Sequence, residues 1–256
     1  MKKICQSKIL KNEQLAEKYW KMVFDCPEIA VDAKPGQFIE VYFENSVKIF
    51  PRPFSIANVE GVELHLIYKA IGSQTEEMTT WKEGKVVELL GPLGNTFTTA
   101  DDTKTHLLVG GGVGLAPMVF MSNGLDGENY KFFCGGRDSN EYFPELKETE
   151  KMYISTDDGS QGFHGNVVQN LEKEIGNIDR PAVIYACGPE KMCEALKHFG
   201  EKHHLEVQIS METIMACGMG LCQGCAIKSY DENGNDKISL VCKDGPVFKG
   251  EEINFG

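Results

Sequence analysis

The sequence predicts a multi-domain protein of β and α/β type: an antiparallel β-barrel, a doubly wound parallel sheet and a small C-terminal lobe. Three observations predict it. Up to Thr99 the chain consists of short β-prone runs divided by Pro and Gly. From Thr103 short apolar runs alternate with helix-compatible stretches. From Ser210 onward, glycines and four closely ordered cysteines crowd together. A length of 256 residues suits two or three compact units. The expected units are 1–101, 102–207 and 208–256, with junctions near Asp101-Asp102 and Val207.

In the first unit, Tyr19 to Phe24, Gln37 to Phe43, Phe54 to Ala57, Val62 to Ala70 and Lys85 to Leu89 read as strands. Gly91-Pro92-Leu93-Gly94 reads as a tight turn where the barrel ends. Within this unit, Arg52-Pro53-Phe54-Ser55 offers a fixed cation, an aromatic plane and a hydroxyl in one extended segment. Alternate strand residues share a face, so Arg52 and Phe54 point one way and Ser55 the other. A guanidinium suits a pyrophosphate because its fork pairs with two oxygens at once. Downstream, Tyr68-Lys69-Ala70-Ile71-Gly72-Ser73-Gln74-Thr75 ends a strand in a turn with N–H groups and hydroxyls. That turn reads either as a phosphate cradle or as a strand-to-helix turn capped by Ser73 or Thr75.

In the second unit, His106 to Val109, Tyr130 to Cys134, Met152 to Ser155 and Ala182 to Ala186 read as buried strands. Val167 to Glu174 and Glu190 to Lys202 read as helices. The first strand runs into Gly110-Gly111-Gly112-Val113-Gly114-Leu115-Ala116-Pro117, and Pro117 suits the first turn of a helix. Backbone N–H groups at such a helix start favour a diphosphate. The spacing is not G-x-G-x-x-G, since Leu115 stands three after Gly112, so no acidic ribose partner is assigned from it. Cys187-Gly188-Pro189 closes the last strand at the carboxyl end of the sheet, where such sheets bind ligands, and each of these two turns taken singly reads either as a ligand site or as a tight strand–helix connection.

The third unit carries Cys217, Cys222, Cys225 and Cys242 in the order C-x4-C-x2-C-x16-C. That is the order of plant-type ferredoxins, which hold a [2Fe–2S] cluster through four thiolates. Gly218, Gly220 and Gly224 let the chain wrap closely around an inorganic core with N–H groups aimed at sulfur. Ala226 to Tyr230 and Lys237 to Val241, joined through Asn233-Gly234, form a hairpin that returns Cys242 to the loop. Zinc and disulfides are the competing readings. Four-cysteine zinc sites usually come as two symmetric C-x2-C knuckles, and this array is lopsided. Nine cysteines in all, an odd number, argue against a secreted disulfide framework. Cys5, Cys26, Cys134, Cys187 and Cys193 read as small buried apolar residues.

A net charge of −12 disfavours nucleic acid and anionic membrane surfaces as partners. Met1-Lys2-Lys3 is followed by polar Gln6, Ser7 and Lys8 rather than an apolar signal segment, and no apolar run reaches membrane-spanning length. A reducing, cytoplasmic location without a membrane partner is expected.

Together these motifs resemble the ferredoxin–NADP reductase superfamily over the first two units. The resemblance implies a flavin-binding barrel, with FAD held by Arg52, Pro53, Phe54, Ser55, Ile67, Tyr68, Lys69, Gly72, Gln74 and Thr75. Phe54 stands where that family more often has Tyr, so any hydrogen bond from a hydroxyl is lost there. It also implies NAD(H) as substrate, bound by Gly110, Gly111, Gly112, Gly114, Pro117, Cys187, Gly188 and Pro189. With the cysteine lobe and the tail Cys242-Lys243-Asp244-Gly245-Pro246-Val247-Phe248, the whole chain is similar to the electron-transfer subunits of NAD-linked (B-type) dihydroorotate dehydrogenases. The small subunits of NADH-dependent ferredoxin–NADP oxidoreductases are the neighbouring group, but there Asp replaces one cluster thiolate. What the resemblance implies is a partner: an FMN-containing dihydroorotate dehydrogenase catalytic subunit, joined as a heterotetramer of two of each chain. This chain has no eightfold βα repeat, so the dihydroorotate site is expected on that partner.

Overall fold

In the computed structural model, residues 2–44, 50–99, 103–125, 129–144, 149–179 and 181–256 are described. The first part is a closed antiparallel barrel. Its strands are β1 (Lys3–Gln14), β2 (Tyr19–Asp25), β3 (Phe38–Val41), β4 (Arg52–Glu60), β5 (Glu63–Lys69) and β6 (Val86–Leu93). They close in the order β1-β2-β5-β4-β3-β6. Ile9, Met22, Phe24, Ile39, Val41, Ile56, Leu64 and Leu66 fill the interior. Two short helices, α1 (Pro27–Ala30) and α2 (Ser73–Thr79), pack on the barrel core through Ile29 and Met78.

Two features of the barrel differ from the sequence reading. β1 was not expected, because its inward positions are Cys5, Ser7 and Ile9 rather than a run of large apolar residues. It nevertheless closes the barrel by pairing with both β2 and β6. Gly91, Pro92 and Leu93 are the end of β6 rather than a turn. The reason is a close approach: a Cβ on Gly91 would stand 2.6 Å from Ile39 Cγ2, so only glycine lets β3 and β6 meet there. The junction expected at Asp101-Asp102 lies outside the described residues.

The second part is built on β7 (Thr105–Gly111), α3 (Leu115–Asn123), β8 (Tyr130–Gly136), β9 (Met152–Thr156), β10 (Phe163–His164), α4 (Val167–Glu174), β11 (Ala182–Cys187), α5 (Glu190–His203) and β12 (Glu206–Ser210). These strands are parallel in the order β10-β9-β8-β7-β11-β12. Both faces are covered, which is why the central strands read as continuous apolar runs. Leu107, Val109 and Ile184 pack toward Leu171 of α4 and Leu196 of α5. Leu108, Phe132 and Tyr185 pack toward Met118 and Met121 of α3. β12 spans Glu206–Ser210, so the junction expected at Val207 falls inside a strand.

The last part holds the hairpin β13 (Ala226–Tyr230) and β14 (Asp236–Leu240), then β15 (Val247–Lys249). β15 returns antiparallel to β12 as the seventh strand of the large sheet. Cys225, Val241, Cys242 and Phe248 share one buried cluster with Phe38, Leu90 and Leu93 of the barrel and Ile184 and Ile209 of the sheet. The cysteine lobe is therefore packed on both other parts.

The β7 loop passes very close to the β11 turn. A Cβ on Gly114 would overlap the Cys187 carbonyl and stand 2.6 Å from Gly188 N. Gly114→Ala is expected to lower stability by about 1–3 kcal/mol through this backbone clash. Gly176→Ala, where nothing lies within 4 Å, is the control and should stay within about 0.5 kcal/mol. Urea unfolding of both variants checks the pair; equal effects would contradict the close approach.

Candidate functional site

Strand β4 sets the first group of side chains. Its register against β3 places Arg52 opposite Val41, Pro53 opposite Glu40, Phe54 opposite Ile39 and Ser55 opposite Phe38. Arg52 and Phe54 thus share one face, and Pro53 and Ser55 the other. A cleft of about 260 Å³ opens here, lined by Pro53, Phe54, Ser55, Ile67, Tyr68, Lys69 and Thr75. Phe54 meets Tyr68 edge-on at 6.2 Å between ring centres. Arg52, Gly72 and Gln74 stand beside the cleft rather than in its lining. Arg52 Nε donates to Gln74 Oε1 at 2.7 Å, which fixes the guanidinium.

The turn before α2 is capped. Thr75 Oγ1 accepts from the N–H groups of Ile71 and Gly72, both at 3.1 Å, and donates to the Gly72 carbonyl at 3.0 Å. The capped strand-to-helix connection is therefore formed, and the N–H groups of Ile71 and Gly72 are taken up by Thr75. The far wall of the cleft comes from Ser210 at the end of β12 and from Met211, Glu212 and Met215 after it, together with Val113 and Ala116. None of these wall residues was expected from the sequence, because they meet the barrel only through the fold.

The two glycine turns come together at the carboxyl ends of the parallel strands. Cys187 is paired with Gly110 in the ladder, and a Cβ on Gly111 would stand 3.2 Å from Pro189 Cδ. Gly188 has φ +155° beside Gly111. A second cleft of about 420 Å³ is lined by Gly111, Gly112, Gly135, Gly136, Arg137, Asp157, Asn166, Pro189 and Met192. Gly110 and Gly114 shape the loop from behind, and Pro117 is buried in the first turn of α3. Gly135, Gly136 and Arg137 were missed by the sequence reading. The signal available was a Gly-Gly pair straight after an apolar strand.

Lys69 lines both clefts. Its Nζ donates to Tyr19 Oη at 3.0 Å and to Glu141 Oε2 at 2.8 Å, and Tyr19 Oη also donates to Glu141. Arg137 Nε reaches the same carboxylate at 3.3 Å. Burial alone would raise the Glu141 carboxyl, but Lys69, Tyr19 and Arg137 hold it below its ordinary value. Barrel and sheet are thus joined by a charged contact at the boundary of the two clefts.

The four thiols lie in two pairs. Cys225 Sγ donates toward Cys242 Sγ at 3.2 Å, and both residues are buried. Cys222 is exposed and Cys217 half-buried. Backbone N–H groups point at the sulfurs: Met219 and Cys222 donate to Cys217 Sγ at 3.5 and 3.4 Å, Gly224 to Cys222 Sγ at 3.4 Å, and Cys242 to Cys225 Sγ at 3.5 Å. Burial pushes the Cys217 thiol up, but the N–H groups of Cys222, Met219 and Leu221 outweigh it and bring it to about 6. Burial and the adjacent Cys225 push Cys242 up to about 12. Gly218 and Gly220 take φ +61° and +83°, and Gln223 takes +59°. A loop of left-handed residues turning its N–H groups onto thiols fits a thiolate-bound iron–sulfur core. The remaining cysteines, Cys5, Cys26, Cys134, Cys187 and Cys193, are all buried, as expected.

One further residue at the site was not foreseen. Glu40 of β3 is fully buried, and neither carboxylate oxygen has a hydrogen-bond partner among the described residues. It lies under the cysteine loop, since a Cβ on Gly218 would stand 2.8 Å from its Cγ. Burial first, and Cys217 second, push its carboxyl up to about 8, against the opposing pull of Arg52.

This combination defines a class: a reductase with a flavin-type barrel, a nucleotide-type sheet and a thiolate cluster lobe. The comparisons then narrow it. A family model described as the iron-sulfur cluster binding domain of dihydroorotate dehydrogenase B matches residues 212–254. The dihydroorotate dehydrogenase B (NAD(+)) electron transfer subunit of Caldanaerobacter subterraneus subsp. tengcongensis is 32% identical over 250 residues, covering 98% of both chains. That of Bacillus velezensis is 35% identical, covering 94% of this chain and 95% of its own. The chain belongs to the family of dihydroorotate dehydrogenase B electron transfer subunits. Among solved structures, an NADH-dependent reduced ferredoxin-NADP oxidoreductase matches with TM-score 0.83 at 25% identity, covering 98% of this chain and 90% of that one. Phthalate dioxygenase reductase, at 16% identity and TM-score 0.63, shares the fold over 94% of this chain and 77% of its own.

Glu40 supplies a test of the site's electrostatics. Its folded pKa lies above the unfolded value, so folding loses stability as pH rises from about 5 to about 8 and the carboxyl must ionise without a partner. The neutral amide of Glu40→Gln escapes that loss. The variant's stability relative to wild type should be greater at pH 9 than at pH 5 by at least about 1.4 kcal/mol, read from urea unfolding. A difference independent of pH would contradict the buried, unpartnered carboxyl.

Proposed function

We propose that this chain carries electrons between NAD and an FMN-containing dihydroorotate dehydrogenase catalytic subunit in pyrimidine biosynthesis. The observation that carries the reading is the seating of the four-thiol loop on the barrel wall next to the strand of Arg52, Phe54 and Ser55. FAD bound at the barrel would exchange hydride with a nicotinamide and single electrons with a [2Fe–2S] cluster.

The chain's own residues supply binding and placement. Arg52, held by Gln74, offers its guanidinium to the FAD diphosphate. Phe54, Ser55, Ile67 and Tyr68 form the wall for the isoalloxazine, and Lys69 and Thr75 close its edge. Gly111 and Gly112 would present backbone to the nucleotide phosphates, and Gly110, Gly114, Cys187, Gly188 and Pro189 hold the two turns close together around that loop. Pro117 fixes the helix start behind the loop. Cys217, Cys222, Cys225 and Cys242 ligate iron, and the N–H groups around them tune its potential. In functional terms the chain divides into a FAD unit over 1–101, an NAD unit over 102–207 extended by the end of β12, and a cluster unit beyond it.

The partner forms a heterotetramer with two copies of each chain. No described helix is long and apolar enough to cross a membrane. A four-thiolate site requires a reducing compartment, which supports the cytoplasm. A ferredoxin-directed reductase is the second reading, favoured by the structural likeness at TM-score 0.83. Four cysteine ligands and the higher identity to the dihydroorotate dehydrogenase subunits favour the first.

The experiment separates the two halves of the activity. The isolated chain with FAD should reduce a dye with NADH, yet leave dihydroorotate untouched until the FMN subunit is added. Arg52→Ala should lose dye reduction as FAD dissociates, its affinity weakened by about 1.5–3 kcal/mol. Dihydroorotate oxidation by the chain free of FMN and partner, or full FAD retention in the variant, would overturn the assignment.

A further inference from the structure

We propose that Glu60, Glu63 and His65 form a Zn²⁺ site on the outer face of the barrel, separate from the thiolate lobe. The three residues sit on the β4–β5 hairpin, whose tight turn uses Gly61 at φ +61°. Glu60 is directly opposite Glu63, and His65 is directly opposite Asn58. Residues two apart share a face, so all four project from the same side of the hairpin. One oxygen of each carboxylate and one ring nitrogen of His65 lie within 4.8 Å of one another.

His65 points to a ligand by itself. The residue is 4% exposed, and its Nε2 is buried with no hydrogen-bond partner among the described residues. Glu63 Oε2 stands 3.6 Å from that nitrogen, too far for a hydrogen bond. It is, however, close to the separation of two donors on one tetrahedral ion. Zinc–nitrogen and zinc–oxygen bonds of about 2.0–2.2 Å place neighbouring ligands about 3.4 Å apart.

The charges argue the same way. Like charges directly opposite in a ladder repel, and Asp25 of β2 extends the Glu60–Glu63 row across a third strand. Asn58 Nδ2 donates to Glu60 Oε1 at 2.8 Å, which orients one carboxylate without neutralising it. Lys8, opposite Asp25 on β1, Lys11, opposite Val23 and itself paired with Glu13, and Lys21 on β2 are cations near the cluster in the register. A mixed imidazole and carboxylate set suits Zn²⁺ better than Mg²⁺ or Ca²⁺. Glu60 and His65 line an open cleft of about 620 Å³, so water can fill the fourth position.

The test uses the full chain with its flavin and iron–sulfur cluster, and Zn²⁺ as the probe. Equilibrium dialysis at pH 7.5 with metal analysis should find one zinc per chain above the iron content. X-ray absorption at the zinc edge should show only nitrogen and oxygen neighbours. Glu60→Gln with Glu63→Gln, and separately His65→Gln, should each weaken binding at least about tenfold while iron and FAD content stay unchanged. No zinc uptake below about 1 mM, sulfur in the zinc shell, or wild-type affinity in the double variant would overturn the proposal.

Discussion

A missing Cβ at Gly218 lets the cysteine loop lie directly on Glu40 and Leu93 of the barrel. With a side chain there, contacts of 2.8 Å to Glu40 Cγ and 3.0 Å to Leu93 Cδ1 would force the loop outward. The φ of +61° at the same residue excludes most other residue types on backbone grounds as well. Everything else about the lobe follows from this seat. Cys225 and Cys242 join a buried cluster that includes Phe38 and Leu93, and β15 can then reach β12. The thiols are brought against the strand that pairs with Arg52 to Ser55. Glu40 carries the cost of the arrangement as an unpartnered buried carboxyl.

The sheet is tied to the barrel by different chemistry. Tyr19 and Lys69 come from barrel strands, and Glu141 follows β8 of the sheet. With side chains 16% and 10% exposed, the Lys69–Glu141 pair is screened less than a surface pair. Because Lys69 borders both clefts, the contact fixes how the Gly111–Gly112 loop faces the wall of Phe54 and Tyr68. Polar locking on one side and close glycine packing on the other give three parts one relative placement.

What the sequence revealed was whatever is encoded locally. The C-x4-C-x2-C spacing, the Gly110 to Gly114 loop and the helix over Val167–Glu174 all depend on residues near one another in the chain. The turn at Gly72 to Thr75 left two readings open, because a capping threonine and a phosphate cradle share the same residue types. Glu40 was invisible for a different reason. A glutamate among Phe38, Ile39 and Val41 reads as the solvent side of a strand, and only the distant cysteine loop buries it. β1 was hidden by Cys5 and Ser7 at inward positions, and the cleft wall from Ser210 to Met215 by its remoteness from the barrel in sequence.

The central claim is that one chain holds a two-electron centre and a one-electron centre in direct working contact. Anaerobic titration of the purified chain with NADH, followed by visible absorption, tests it most directly. The account predicts bleaching of both flavin and iron–sulfur bands, with about three electron equivalents taken up per chain, two by FAD and one by the cluster. Flavin bleaching that stops at two equivalents, with the iron–sulfur bands untouched in a chain of full iron and sulfide content, would contradict it.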